Sequence, residues 1–184
     1  MRSPLILWCG RSAGEDLLQS GPVTSLTEHV DIAPTILDLL GIKPDWGIHG
    51  ESLLPIATGR RRKEAVFADG GHEAGMRGRF SFKPEGRDGT PKKLNGKQLT
   101  YQQCPDSMAR TKMVRTERWK LVIRETGGNE LYDMQADPWE LNNLWNDYPS
   151  NPILRDAVLD LQQKMIEWCL RTDTDRPYQE QVGA

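Results

Sequence analysis

"MVRTERWKLVIRETGGNELYDMQADPWELNNL", residues Met113 to Leu144, decides the fold. Trp119, Leu121 and Ile123 alternate with Lys120, Val122 and Arg124. A period of two puts one set on a dry face and the other on a wet face of a strand. Gly127, Gly128 and Asn129 supply a hairpin turn, and Glu130 to Tyr132 returns as the next strand. Upstream, "AVFADG" predicts a further strand from Ala65 to Ala68. Downstream, Asn151 is placed to cap a long helix with Pro152 at its first position. Leu154, Val158, Leu161, Met165 and Trp168 then recur at helical spacing, so one face is apolar and needs a sheet to lie on. The expectation for residues 65–172 is an antiparallel sheet of about four strands with the last helix across one face.

The end of this stretch is crowded with oxygen ligands: Asp133, Asp137, Glu140, Asn142 and Asn143. A calcium loop starting at Asp133 needs Gly at its sixth position and a bidentate Glu at its twelfth. Pro138 and Leu144 stand there instead. A turn explains more. Asp137 suits a helix N-cap, Pro138 the first helical position, and Glu140 the position that reaches back to the cap. A strand followed by a capped short helix or turn is expected, without a metal.

The chain has 184 residues, enough for one domain or two small ones. Lys plus Arg number 24 against 26 for Asp plus Glu, so charge does not call for a nucleic acid partner. No apolar run approaches the roughly 18 residues of a membrane span, and a secretory leader pattern is missing. The default expectation is a cytoplasmic protein. Cys9, Cys104 and Cys169 are too scattered for a disulfide framework or a zinc knuckle.

The first part of the chain reads differently. "SPLILWCG" predicts a short buried strand from Leu5 to Trp8, and a second strand is expected at Val23 to Leu26. "VDIAPTILDLLG" predicts a helix with Asp31 as N-cap, Pro34 in the first turn and Gly41 as the stop. Ile32, Ile36, Leu39 and Leu40 make its apolar stripe. "GIHGESLLPIATG" reads as loop and turn, and the basic run Arg60 to Lys63 as a solvated surface turn. A division into residues 1–64 and 65–184 follows.

Residues 70–112 form a long segment rich in Gly and charge. Such segments are functional or mobile. Between residues 71 and 100, Arg77, Arg79, Lys83, Arg87, Lys92, Lys93 and Lys97 outnumber Glu73, Glu85 and Asp88. That excess suits an anionic ligand such as sulfate, phosphate or carboxylate, or simply a solvated loop. His72 and Glu73 are the first polar side chains past Gly70 and Gly71, and Arg77 follows. Strand ends are rigid platforms for binding groups. His72 is suited to donate a hydrogen bond to an ester oxygen or hydroxyl, and Arg77 to clamp an anion. The plainer alternative is that the two glycines let the chain turn into a loop. His72, Glu73 and Arg77 are the candidate substrate-binding residues; no residue is assigned to catalysis or to a metal.

"VDIAPTILDLLGI", "GESLLPIATG", "MVRTERWKLV" and "ELYDMQADPWELNNL" follow one another as in the carboxy-terminal part of sulfatases, members of the alkaline phosphatase superfamily. "SPLILW" is similar to the strand that precedes them there. The resemblance covers nearly the whole chain. It implies an α+β arrangement: the small sheet with its helix, preceded by a strand-helix remnant of the larger sulfatase α/β domain. It also implies chemistry that these residues do not contain. Sulfatases use a formylglycine made from Cys in C-x-P-x-R and a divalent cation, usually calcium, held by paired Asp and a later Asp with Asn or His. Cys9, Cys104 and Cys169 each lack that context, and Asp-Asp, D-H-G and D-N-G are missing. Calcium and formylglycine are therefore expected only in a complete enzyme.

Two functional classes remain on the sequence. One is the carboxy-terminal region of a sulfuric ester hydrolase, inactive alone, which shapes the pocket for an anionic sulfate ester. Its partner would be an amino-terminal sulfatase half, or a further copy of the chain, covering the apolar faces. The other is a stand-alone binding module derived from that subdomain. A complete small hydrolase fits least, because ester hydrolysis needs an activated nucleophile and cationic stabilisation.

Overall fold

In a computed structural model, residues 5–8, 21–72, 93 and 95–172 are described. The chain divides into two compact units: Met1–Val66 with Ile166–Ala184, and Phe67–Met165.

The second unit is built on a four-stranded sheet in the order β1 (Val66–Gly70), β2 (Thr111–Arg115), β3 (Trp119–Arg124), β4 (Glu130–Asp133). The β2–β3 and β3–β4 pairs are antiparallel, with Val114 opposite Leu121 and Leu121 opposite Leu131. These three side chains are fully buried. The hairpin turn has Gly127 at φ 89°, and Asn129 Oδ1 accepts the Arg124 N–H at 3.0 Å. Helix Pro152–Thr172 starts as its sequence dictates: Asn151 Oδ1 accepts the Ile153 N–H at 3.0 Å. Its buried residues are Leu154, Ala157, Val158, Leu161 and Met165. With Val114, Leu121 and Leu131 they form the core of this unit. The expected small antiparallel sheet with a C-terminal helix is what forms.

The second sheet face is drier than alternation predicts. Val122 and Tyr132 are buried there, among the ion pairs Lys120–Glu140 and Arg124–Glu130. Burial, and then the neighbouring Glu130 carboxylate, push the Tyr132 phenol up to about 12. Within the segment expected to lack structure, helix Gly96–Gln103 and a 3-10 turn, Pro105–Met108, form.

In the first unit the expected helix forms at Ile32–Leu39, which we call α1. It ends in a Schellman motif: Gly41 at φ 67°, its N–H donating to Asp38 O, and the Ile42 N–H donating to Leu37 O at 2.9 Å. A single-turn helix, α2 (Leu54–Ala57), lies in the stretch expected to be loop. Helix Gly96–Gln103 is then α3, and Pro152–Thr172 is α4. Two sequence expectations fail here. Leu5 to Trp8 and Val23 to Leu26 are not strands, and Leu5 to Trp8 are exposed. A strand needs a hydrogen-bonded neighbour, and none pairs with them among the described residues. The stripe of α1 is exposed as well, at Ile32, Ile36, Leu39 and Leu40; only Thr35 of that helix is buried.

Candidate functional site

The end of β1 is held by a close backbone crossing. Gly71 has φ 86°, and a Cβ built on it would sit 2.0 Å from the Ala109 carbonyl oxygen. The next residue, His72, donates its backbone N–H to Met108 O at 2.7 Å and bridges to Ala109. Two residues before Gly71, Asp69 pairs with Lys112 at 2.9 Å. The glycine pair is therefore no loose hinge, because Gly71 is required where two backbones touch. It delivers His72 to the surface, where its side chain is exposed. Glu73 and Arg77 lie outside the described residues, as do Arg79, Lys83, Arg87 and Lys92.

The oxygen-rich turn after β4 spends its side chains on its own backbone. Asp133 Oδ1 accepts the N–H groups of Gln135 and Ala136 at 3.0 and 3.2 Å. Burial alone would raise this carboxyl, but the Ala136 and Gln135 amides and Arg118 hold it below the usual range. Asp137 Oδ2 accepts the Asn142 N–H at 2.8 Å. Asn143 Oδ1 accepts the N–H groups of Leu131 and Trp145, both at 3.0 Å. The turn reading holds, without the short helix: Glu140 takes φ 60°, and its carboxylate reaches Lys120 rather than a cap. Among the described residues no group of three or more His, Cys, Asp or Glu could hold a metal.

The first unit holds a polar cluster that sequence reasoning missed. Asp31 precedes α1 as expected but makes no capping bond to it. Its buried carboxylate accepts the Glu28 N–H at 2.9 Å and the Glu51 N–H at 3.0 Å. Both oxygens also accept from Lys63 Nζ, at 2.9 and 2.7 Å. Lys63 Nζ pairs with Glu28 at 2.5 Å, and the Lys63 N–H donates to Ser25 Oγ at 3.1 Å. Burial lowers the Lys63 ammonium, but the hydrogen bonds and charges of Asp31 and Glu28 outweigh it, and its pKa is raised. Lys63 is thus not part of a solvated basic turn. Thr35 Oγ1 extends the cluster, donating to Asp31 O at 2.6 Å and accepting the Leu53 N–H at 2.8 Å. A Cβ on Gly50 would lie 2.0 Å from Val30 O, so this neighbourhood too requires a glycine. The only advance signal was Gly50 within "GIHGES".

No protein-family model matches the chain. Arylsulfatase K of Rattus norvegicus is 28% identical over 148 residues, 75% of this chain and 22% of that protein. The chain is sulfatase-like. The multifunctional alkaline phosphatase superfamily protein PehA of Trinickia caryophylli is 28% identical over 173 residues, covering 92% of this chain and 29% of PehA. In structure, a 2-O GAG sulfatase matches 79% of the sulfatase-like chain at a TM-score of 0.52 and 23% identity, over 25% of its own length. That likeness shows a shared fold. The sulfatase-like chain spans about a quarter of the length of these proteins. Among its described residues no helix is long and apolar enough to cross a membrane.

Proposed function

We propose that this chain serves as the carboxy-terminal region of a sulfuric ester hydrolase, shaping its substrate pocket, and that it is inactive alone. The observation that carries the reading is α1. Ile32, Ile36, Leu39 and Leu40 are all exposed on a helix whose only buried residue is Thr35. A helix with its apolar side in water needs a cover. An amino-terminal sulfatase portion would provide it, together with the C-x-P-x-R nucleophile, the cation and the anion-binding groups. In this reading His72, fixed at the end of β1 by the Gly71 crossing, faces the substrate. Its imidazole N–H donates to an ester oxygen or hydroxyl.

The test combines this chain with an amino-terminal portion from a sulfatase relative that carries C-x-P-x-R. Alone, the chain is expected to leave an aryl sulfate untouched with calcium added. The combination is expected to turn it over, and His72→Ala to lower kcat/KM at least about tenfold, or about 1.4 kcal/mol. Parallel assays on an aryl phosphate and a phosphonate ester identify the ester class. Turnover by the isolated chain that a point mutation within it abolishes would overturn the proposal.

A further inference from the structure

The second face of the sheet holds a cation that no carboxylate matches. Arg115 stands opposite Lys120, and Lys120 opposite Tyr132, so the three share one face. Arg124 lies two residues beyond the buried Val122 on β3, and alternation gives it the same face. Glu140 pairs with Lys120 and Glu130 with Arg124. Arg115 is half-buried, and among the described residues its guanidinium has no such partner. Its Nε is sealed from solvent without a hydrogen-bond acceptor, whereas its Nη nitrogens are open to contact. A sealed donor without an acceptor has lost its water for nothing, and such atoms are rare in folded proteins. The cross-strand neighbour adds to the cost, because like charges placed opposite each other destabilise a strand pair.

We propose that Arg115 anchors an aspartate or glutamate side chain of the amino-terminal sulfatase portion; the inference rests on the function proposed above. Charge selects the chemistry. A guanidinium stays protonated and presents its donors as a planar fork, which a carboxylate matches with parallel hydrogen bonds. A single unmatched positive charge fits a single carboxylate. A dianion such as inorganic sulfate would set excess negative charge against Glu130 and Glu140 on the same face. A second copy fits poorly, because a two-fold contact would bring the same unmatched cation from both sides. The amino-terminal portion is the remaining source, since the chain spans about a quarter of the proteins it resembles. The contact is also prepared in advance. Arg115 sits on a paired strand and its Nε is already desolvated, so little ordering and little loss of water remain for association.

The sign of the effect of Arg115→Met tests the proposal, read by urea denaturation of the whole chain and by its association with an amino-terminal portion from a sulfatase relative. In the isolated chain the variant is expected to raise the urea midpoint of the second unit, because an unmatched charge and an orphan donor leave together. Toward the amino-terminal portion it is expected to weaken association at least about tenfold, because the partner carboxylate is then stranded. A merely structural arginine does not change sign in this way. A lower midpoint in the isolated variant would overturn the proposal, since Arg115 would then have a partner within the chain. Association that Arg115→Met leaves unchanged would overturn it too, with the proposed function still standing. A wild type that does not associate would remove the proposed function and this inference with it. A wild-type midpoint that climbs with chain concentration, but not in the variant, would give the carboxylate to a second copy and overturn the assignment. So would one that climbs in sodium sulfate over sodium chloride at equal ionic strength in the wild type alone, which would make Arg115 a site for a free anion.

Discussion

Helices α1 and α4 carry similar apolar stripes. On α4, Leu154, Val158, Leu161 and Met165 are at most 8% exposed, whereas on α1 the four stripe residues run from 38% to 66%. A buried aliphatic side chain contributes about 1.5–3 kcal/mol over an exposed one. Helix α4 is thus held by packing in its unit. Helix α1 is held by polar bonds: the Schellman end, Thr35 between Asp31 O and the Leu53 N–H, and the Asp31–Lys63 pair. An apolar stripe in sequence says that a helix wants a cover; it does not say that its own unit provides one.

The strongest challenge to this contrast is Leu161→Ala. Leu161 is fully buried. Truncation should cost about 4 kcal/mol, read as a lower urea midpoint for the second unit. A loss under about 1 kcal/mol would show that α4 is not held by packing. Next comes Lys63→Ala, which strands the buried Asp31 carboxylate and should cost the first unit about 3 kcal/mol. Because the folded pKa of Lys63 is raised, its contribution is fully present below the unfolded value of 10.5 and fades as pH rises through the folded value. A wild-type stability curve flat through that alkaline range in the first unit would remove the ion pair from the account. The smallest effect is expected for Ile36→Ser on the exposed side of α1, within about 0.5 kcal/mol. A large loss there in the isolated chain would mean that the stripe is already covered, and the contrast would vanish.

Sheet and long helix were legible because their signals are local and periodic: the alternation around Leu121, the Gly127–Gly128–Asn129 turn, the Asn151 cap. What was not legible depended on partners far along the chain. Lys63 looks like its neighbours Arg60 to Arg62, and nothing in the run marks it as the partner of an aspartate 32 residues away. Asp137, Pro138 and Glu140 spell a helix start, but the Lys120 ammonium draws Glu140 into a left-handed turn, and a tertiary ion pair overrides the local preference. Leu5 to Trp8 spells a strand, yet an isolated strand has nowhere to place its amides. Of the candidate site, the position of His72 at a strand end was readable. The reason it is fixed there was not, because Gly71 looks the same in sequence whether it flexes or lets two backbones touch.

Tyr132 lies on the edge strand β4, buried opposite Lys120 of β3, with its hydroxyl donating to Glu130 Oε2 at 3.2 Å and its phenol pushed up to about 12. This makes it an optical label that needs no chemistry to install. At pH of about 11, a tyrosine near its ordinary pKa of about 10 is mostly phenolate and absorbs at longer wavelength. Tyr132 stays a phenol, dark in that band, for as long as β3 and β4 remain closed around it. An alkaline jump followed by absorbance therefore times the opening of the sheet through a single native chromophore.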